Sequence, residues 1–343
     1  MAAERACVAF LWHMHQPWDP WPGTQQAALP FARLHASSGY YDMPWLLGRF
    51  EDTRVTFNLV PSLVGQLQAY AAGELTDRAL ELSERDASDL SLDDQRYLLT
   101  HMCGGQPMGI MAASPRYGEL LHKRGPDRKL EAIDRACRFF RTDEYRDLQV
   151  LFNLAWCGFA LDAEYEVVRA LRAKGRDYTE DEKRALLETM RAAVRRVVGL
   201  YADAAAHGRA ELTCSPFYHP ILPLLCRMSD AARSVPASRL PEKLWTEPEE
   251  ARRQLRYGLD FHERTFGALP RGLWPPEGAI SDAALALIAE EGVRWAASDE
   301  EVLAAGFERD TRPAPHELYR PWQAADGRLS LIFRDHHLAD LIG

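Results

Sequence analysis

Residues 271–297 read RGLWPPEGAISDAALALIAEEGVRWAA. Arg271 to Trp274 and Val293 to Ala297 have the apolar, β-branched or aromatic character of short strands, and apolar residues at helical spacing predict a helix over 280–291. Strand, helix and strand in immediate succession point to a parallel α/β sheet. The turn between the first strand and the helix is Leu273-Trp274-Pro275-Pro276-Glu277-Gly278-Ala279-Ile280-Ser281. A carboxylate there sits in a rigid, partly apolar mouth, where a Glu is held as a nucleophile rather than left as a solvated charge. The plainer reading is a helix N-terminal Glu that complements the macrodipole. A simple helix start, however, needs neither two prolines nor a Trp beside the Glu.

The same alternation extends outward. Ala6-Cys7-Val8-Ala9-Phe10-Leu11-Trp12 is a continuous apolar run ending in His13-Met14-His15-Gln16-Pro17. It predicts a buried parallel strand whose carboxyl end delivers polar side chains. Trp18 to Gly39 reads as an ordered loop, Met43 to Phe50 as a helix, and Arg54 to Val60 as a second strand. A helix then starts at Pro61-Ser62, with Pro in the first turn. Ala210 to Thr213 and Leu329 to Phe333 predict further strands, and 216–228 and 247–265 further helices. Polar residues gather at the strand ends: His13, His15, Asn58, Glu211, Glu277, Ser298-Asp299 and Asp335-His336-His337. That is the rim on which α/β barrels carry their active sites. Between the strands, helical spacing recurs over 92–101, 128–140, 143–160 and 179–206. The block 74–206 therefore reads as a helical insertion packed on the main domain, with a lid as one role open to it.

Composition narrows the function. The net charge is −9 with no basic block, which disfavours binding to nucleic-acid phosphates. Apolar runs such as Ala6 to Trp12 are too short to span a bilayer. Met1 to Arg5 lack the layout of a signal peptide, so a cytoplasmic location is expected. The six cysteines are scattered without a C-x-x-C pair and are expected to be reduced, several of them buried. No glycine-rich phosphate loop suggests a nucleotide cofactor.

His13 and His15 fall on one face of a strand and suit a metal or a sugar; alternatively one is a core His and the other a surface His. Glu211 lies among apolar neighbours, where a charge is costly unless paired or used; alternatively it is an edge-strand Glu pointing to water. It precedes a dense aromatic and proline run, Ser215-Pro216-Phe217-Tyr218-His219-Pro220. Arg334-Asp335 closes the last strand as either a structural ion pair or a site carboxylate. Trp274 and its aromatic neighbours near these clusters suit sugar rings, which present C–H faces and hydroxyls together.

Longer motifs go further. His13-Met14-His15-Gln16-Pro17, Tyr40-Tyr41-Asp42-Met43 and Thr56 to Leu63 (TFNLVPSL) resemble the N-terminal region of glycoside hydrolase family 57. So do Gly208 to Leu225, Trp274 to Ser281, Trp295 to Val302 and Phe333 to Gly343, in order along nearly the whole chain. The resemblance implies an incomplete (β/α)7 barrel over residues 5–343, interrupted by the helical insertion at about 74–206. It implies a retaining enzyme that hydrolyses or transfers α-glucans or maltooligosaccharides and needs no metal or organic cofactor. Glu277 matches the family's nucleophile. His15 and Glu211 match residues that line the sugar site, with His13, Trp274 and Asp335 as further substrate-binding candidates.

Arg209, Pro276 and Ala339 depart mildly from the family pattern and spare the carboxylates. The larger departure is length. The acid/base Asp of the family lies in a motif downstream of the segment matching Phe333 to Gly343. The chain is therefore expected to stop before the barrel closes and to turn over little alone, with Asp335 the one late strand-end candidate for the acid. Two rival readings stand beside this one. The first is a non-catalytic glucan-binding protein. The second is a metal-dependent hydrolase or deacetylase using His13 and His15 with Asp335, His336 and His337.

Overall fold

A computed structural model describes residues 7–103, 114–234, 237, 239–309 and 311–342. The expectations for residues 1–6 and 343, and for 104–113 within the helical block, lie outside the described residues. The chain groups into two compact units. The first holds the described residues up to Trp18, Arg54–Val64 and the chain from Ala205 onward, and the second holds Asp19–Thr53 and Gly65–Ala204.

In the first unit, β1 (Leu11–Met14), β3 (Val55–Leu59) and β5 (Ala210–Thr213) are parallel neighbours in that order. A second sheet orders β6 (Gly272–Leu273), β7 (Trp295–Asp299), β9 (Leu329–Arg334) and β8 (Trp322–Ala324), with only β8 antiparallel. A parallel bridge from Cys214 to Leu273 joins the two sheets, and Trp274 N–H donates to the Cys214 carbonyl at 3.0 Å. Leu255, Leu259, Leu273, Ile288, Val293, Ala296 and Leu331 form the apolar layer behind these strands. The helix Pro248–Phe266 starts with Pro in its first turn, followed by Glu249 and Glu250, and stops at Gly267 in the left-handed region, φ 78°. It presses close to the chain: a Cβ at Gly258 would lie 2.6 Å from the Ser215 carbonyl oxygen, so only glycine fits.

Two expectations are corrected here, and one element is added to them. The first strand begins at Leu11, not Ala6, and lies at the edge of its sheet with Val8 and Phe10 exposed. An apolar run predicts a strand but not its place in the order. The helix expected over 216–228 shrinks to Leu222–Cys226, because Pro216 and Pro220 remove backbone donors and the chain turns between them. The hairpin from β8 to β9 was passed over. It turns through Ala325, Asp326 and Gly327, all at positive φ, a conformation that an Asp-Gly pair favours.

The second unit is mainly helical. The two-residue strands β2 (Gln26–Ala27) and β4 (Thr76–Asp77) pair in parallel. Helices include Gly39–Leu47, Arg78–Glu84, Pro115–Arg124, Thr142–Ala155 and most of Glu180–Ala206, around a core with Leu82, Leu98, Leu99, Leu148 and Leu186. This unit also takes in Asp19–Thr53, so the stretch read as a loop carries a strand and a helix. Tyr41 donates to Glu164 Oε2 at 2.7 Å and Asp42 accepts from Ala160 N–H at 2.9 Å, which gives that motif a structural task. Five of the six cysteines are buried, and Cys7 is exposed. Among the described residues no helix is long and apolar enough to cross a membrane.

Candidate active site

The site is built from the carboxyl ends of the parallel strands of the first unit. β1 and β3 pair in register with His13 opposite Asn58, and β3 and β5 with Asn58 opposite Thr213. The three side chains form a chain across the sheet. His13 Nδ1 lies 2.7 Å from Asn58 Oδ1, and Asn58 Nδ2 donates to Thr213 Oγ1 at 3.2 Å. With the Asn58 carbonyl turned toward it, His13 donates from Nδ1 and leaves Nε2 as a lone-pair nitrogen. Ser215 donates to the Trp274 carbonyl at 2.7 Å and ties the strand after β5 to the turn that carries Glu277.

His219 completes an array of rings. Its backbone sits in the left-handed region, φ 58°, in a turn where its N–H bonds the Pro216 carbonyl at 3.0 Å. The helix Pro248–Phe266 braces that turn through Phe217 N–H to the Gln254 carbonyl and through Tyr257, stacked on Phe217 at 4.0 Å. Ring centroids of His15 and His219 are 4.1 Å apart, those of His13 and His219 5.0 Å, and those of His13 and Trp274 5.9 Å. Burial lowers all three histidines. For His15, to about 4, and His219, to about 3, the neighbouring imidazoles add to the effect. For His13, Asn58 and Glu277 oppose it without cancelling it. At neutral pH the site therefore presents three neutral imidazoles, with His13 offering Nε2 as an acceptor.

Glu277 faces this array. Its Oε1 lies 3.8 Å from His219 Nε2, and its side chain is 70% exposed, so the carboxylate expected in an apolar mouth is largely open to water. It occupies a tight turn, Pro276–Gly278, with φ 58° and ψ 19°. A left-handed conformation at a residue other than glycine costs on the order of 1–3 kcal/mol and clusters at functional sites. The turn is held by Gly278 N–H to the Pro275 carbonyl at 2.8 Å and by Ser298 Oγ to the Gly278 carbonyl at 2.6 Å. The helix that follows, Asp282–Glu290, is capped by Ser281 and carries Asp282 in its first turn. Glu277 thus stands outside that helix and does not serve its dipole.

Other expected site residues lie elsewhere. Trp274 is beside the site, its ring 3.6 Å from where a Cβ on Gly278 would stand. Glu211 sits two residues before Thr213 on β5, toward the amino end of the strands, and its carboxylate accepts from Trp295 Nε1 at 3.0 Å. The charge is satisfied by an indole and is not joined to the imidazoles. Asp335 is likewise committed. Its Oδ2 accepts from Tyr319 at 2.5 Å and pairs with Arg312 at 2.7 Å, while Oδ1 accepts from Leu338 N–H at 2.9 Å. The Tyr319 hydroxyl, with the Leu338 N–H and Arg312, holds its carboxyl below the usual range. Arg334 pairs with Asp299 at 2.5 Å instead, and His336 with Asp299 at 3.2 Å. The ligand set imagined for a metal hydrolase therefore breaks up at its carboxyl-terminal members. The histidines that do converge are His13, His15 and His219, with ring nitrogens within 4.8 Å of one another. His219 was not singled out from the sequence, although His219-Pro220 ends the aromatic and proline run after Glu211.

The fold is similar to that of the alpha-amylase AmyC from Thermotoga maritima, with a TM-score of 0.52 and 13% identity, over 97% of this chain and 46% of that one. A family 57 branching enzyme from Thermococcus kodakaraensis gives 0.47 and 15%, over 95% and 47%. A 4-alpha-glucanotransferase from Thermococcus litoralis gives 0.44 and 12%, over 97% and 28%. The chain thus spans less than half the length of each. No curated protein matches it in sequence. The model of Glycosyl hydrolase family 57 matches residues 9–343, nearly the whole chain, and the chain belongs to that family.

Proposed function

We propose that this chain carries the nucleophile and part of the sugar site of a retaining enzyme that hydrolyses or transfers α-glucans. The observation behind the proposal is Glu277: an exposed carboxylate in a left-handed turn at a strand end, facing neutral imidazoles and an indole. Among the described residues no Lys or Arg pairs with it, and the groups that face it are His219, at 3.8 Å, and His13. A carboxylate left unneutralised in this way keeps its electron pair available for attack.

In the reaction, a Glu277 oxygen attacks the anomeric carbon as the glycosidic C–O bond breaks. The leaving oxygen takes a proton from a second carboxyl group, which in retaining enzymes stands about 5–5.5 Å away. Water or an acceptor sugar, giving its proton to that second carboxylate, then displaces Glu277 and restores the anomeric configuration. His13 serves the sugar hydroxyls as an acceptor and His15 and His219 as further neutral imidazoles, and the Trp274 ring offers an apolar face for a sugar C–H face. Asp335 is held as an anion by Tyr319, the Leu338 N–H and Arg312, which suits an anchor at the end of β9 and opposes proton donation. The α-glucan class rests on the family, whose neighbours named above are an amylase, a branching enzyme and a glucanotransferase. A cytoplasmic location fits the buried, unpaired thiols.

The test is turnover of soluble starch and maltooligosaccharides by the protein and by its Glu277→Gln variant, with the anomeric configuration of the first product read by NMR. Retention of configuration, lost with the variant, supports the reading. Turnover by the variant, or an inverted product, overturns it.

A further inference from the structure

We infer that His13, His15 and His219 form a binding site for one divalent transition-metal ion, Zn²⁺ being the best fit. The proposal rests on geometry first. One ring nitrogen from each residue lies within 4.8 Å of the others. Tetrahedral zinc with bonds of about 2.0–2.1 Å needs nitrogens roughly 3.3–3.4 Å apart, so the three rings must draw in around the ion. His15 and His219 are already in ring contact, with centroids 4.1 Å apart.

His219 supplies an independent observation. Its side chain is only 5% exposed, yet neither ring nitrogen has a hydrogen-bond partner among the described residues. A buried polar group in that condition calls for a ligand, because leaving it unmatched is costly. A backbone at φ 58° holds the ring where it is. The wider surroundings also match a metal site. Metal-bound imidazoles usually give their second nitrogen to a carbonyl or carboxylate, which fixes the tautomer. His13 does this through Asn58 Oδ1, itself steadied because Asn58 Nδ2 donates to Thr213, and so turns Nε2 to the cluster. Three neutral imidazoles without thiolates favour Zn²⁺, Cu²⁺ or Ni²⁺ over Mg²⁺ or Ca²⁺, which take oxygen ligands.

An ion held there would lie beside Glu277, since Glu277 Oε1 is 3.8 Å from His219 Nε2. A carboxylate drawn to the metal cannot attack a sugar. Zn²⁺ would then act as a reversible inhibitor that competes with the glucan. Inhibition, unlike binding, rests on reading Glu277 as the nucleophile.

The experiment titrates protein stripped by EDTA and free of any histidine tag with Zn²⁺ by calorimetry, and with Co²⁺ by visible absorption. The expected result is one ion per chain, with the intense d–d bands of tetrahedral Co²⁺. His219→Gln should weaken binding by about 100-fold or more, and Asn58→Ala by about 10–100-fold. His336→Ala, outside the cluster, should leave it unchanged. Circular dichroism confirms that each variant is folded, and Asn58→Ala leaves all three imidazoles in place should His219→Gln fail to fold. No uptake by folded wild-type protein overturns the site, as does uptake that His219→Gln leaves intact or that His336→Ala removes. Uptake with normal affinity but no inhibition of starch turnover leaves the metal site standing and counts against the role given to Glu277.

Discussion

Three buried carboxylates of the helical unit contrast with the strand-end site of the other unit. Asp77, Asp147 and Asp94 are each matched inside the fold. Asp77, 1% exposed, takes Arg33 Nε at 2.7 Å, the Tyr70 hydroxyl at 3.1 Å and Leu80 N–H at 2.8 Å. Asp147 takes Arg116 Nε at 2.8 Å and Tyr178 N–H at 3.1 Å, and Asp94 is paired with both Arg78 and Arg85. At the strand ends of the other unit, His219 is buried without a hydrogen-bond partner and Glu277 is strained and open. Matching every group stabilises a fold, whereas leaving groups unmatched costs stability and keeps them free for a ligand. Asp335 belongs to the first unit but is matched like Asp77, which is why it reads as an anchor.

Substitutions can break or sharpen this contrast. The largest effect is expected at Glu277. Replacement by Gly should lower turnover by about 10⁴-fold or more while leaving the denaturant midpoint unchanged or raised, because Gly relieves the left-handed backbone. A matching fall in midpoint would mean that Glu277 is structural. Next is Asp77→Ala, which strands a buried Arg33. Urea unfolding should show a loss of about 3–5 kcal/mol, and a loss under 1 would remove the contrast.

A smaller effect is expected from pH. Histidines whose folded pKa is depressed bind protons more readily when unfolded, so their contribution to stability is present at neutral pH. It is lost as pH falls below about 6.5 toward the folded values near 4 for His15 and 3 for His219. Asp42, pushed up to about 6 by burial, acts in the opposite sense in that window. Comparing wild type with His219→Gln in EDTA cancels its effect. The variant should lose less stability between pH 6.5 and 4.5, and parallel curves would mean that His219 is not buried as a neutral ring. Last, Asp335→Asn should cost at most about 1 kcal/mol, as the loss of a partly exposed ion pair with Arg312, since the Asn carbonyl still accepts from the Leu338 N–H. A loss of turnover far beyond that cost would make Asp335 the acid after all.

Much of this was legible in the sequence. The run from Arg271 to Ala297 switches period within short spans, so strand, turn and helix could be read locally, and Glu277 stood out through its Trp, Pro and Gly neighbours. The remainder depends on distant partners. The bond from Trp295 to Glu211, between residues far apart in the chain, could not be read from either segment alone. The edge position of β1 follows from the order of strands, which no local pattern encodes. His219 joins the site only because the helix Pro248–Phe266 braces its turn, with Gly258 allowing the close approach.

The central claim is that Glu277 becomes covalently bonded to sugar during turnover. Incubating the protein with a 5-fluoro-α-glucosyl fluoride, which forms the glycosyl-enzyme but slows its breakdown, and mapping the added mass by peptide mass spectrometry tests it directly. The account predicts a single label on Glu277, absent from Glu277→Gln. A label on another carboxylate, or starch turnover that is neither slowed nor labelled by the reagent, would contradict it.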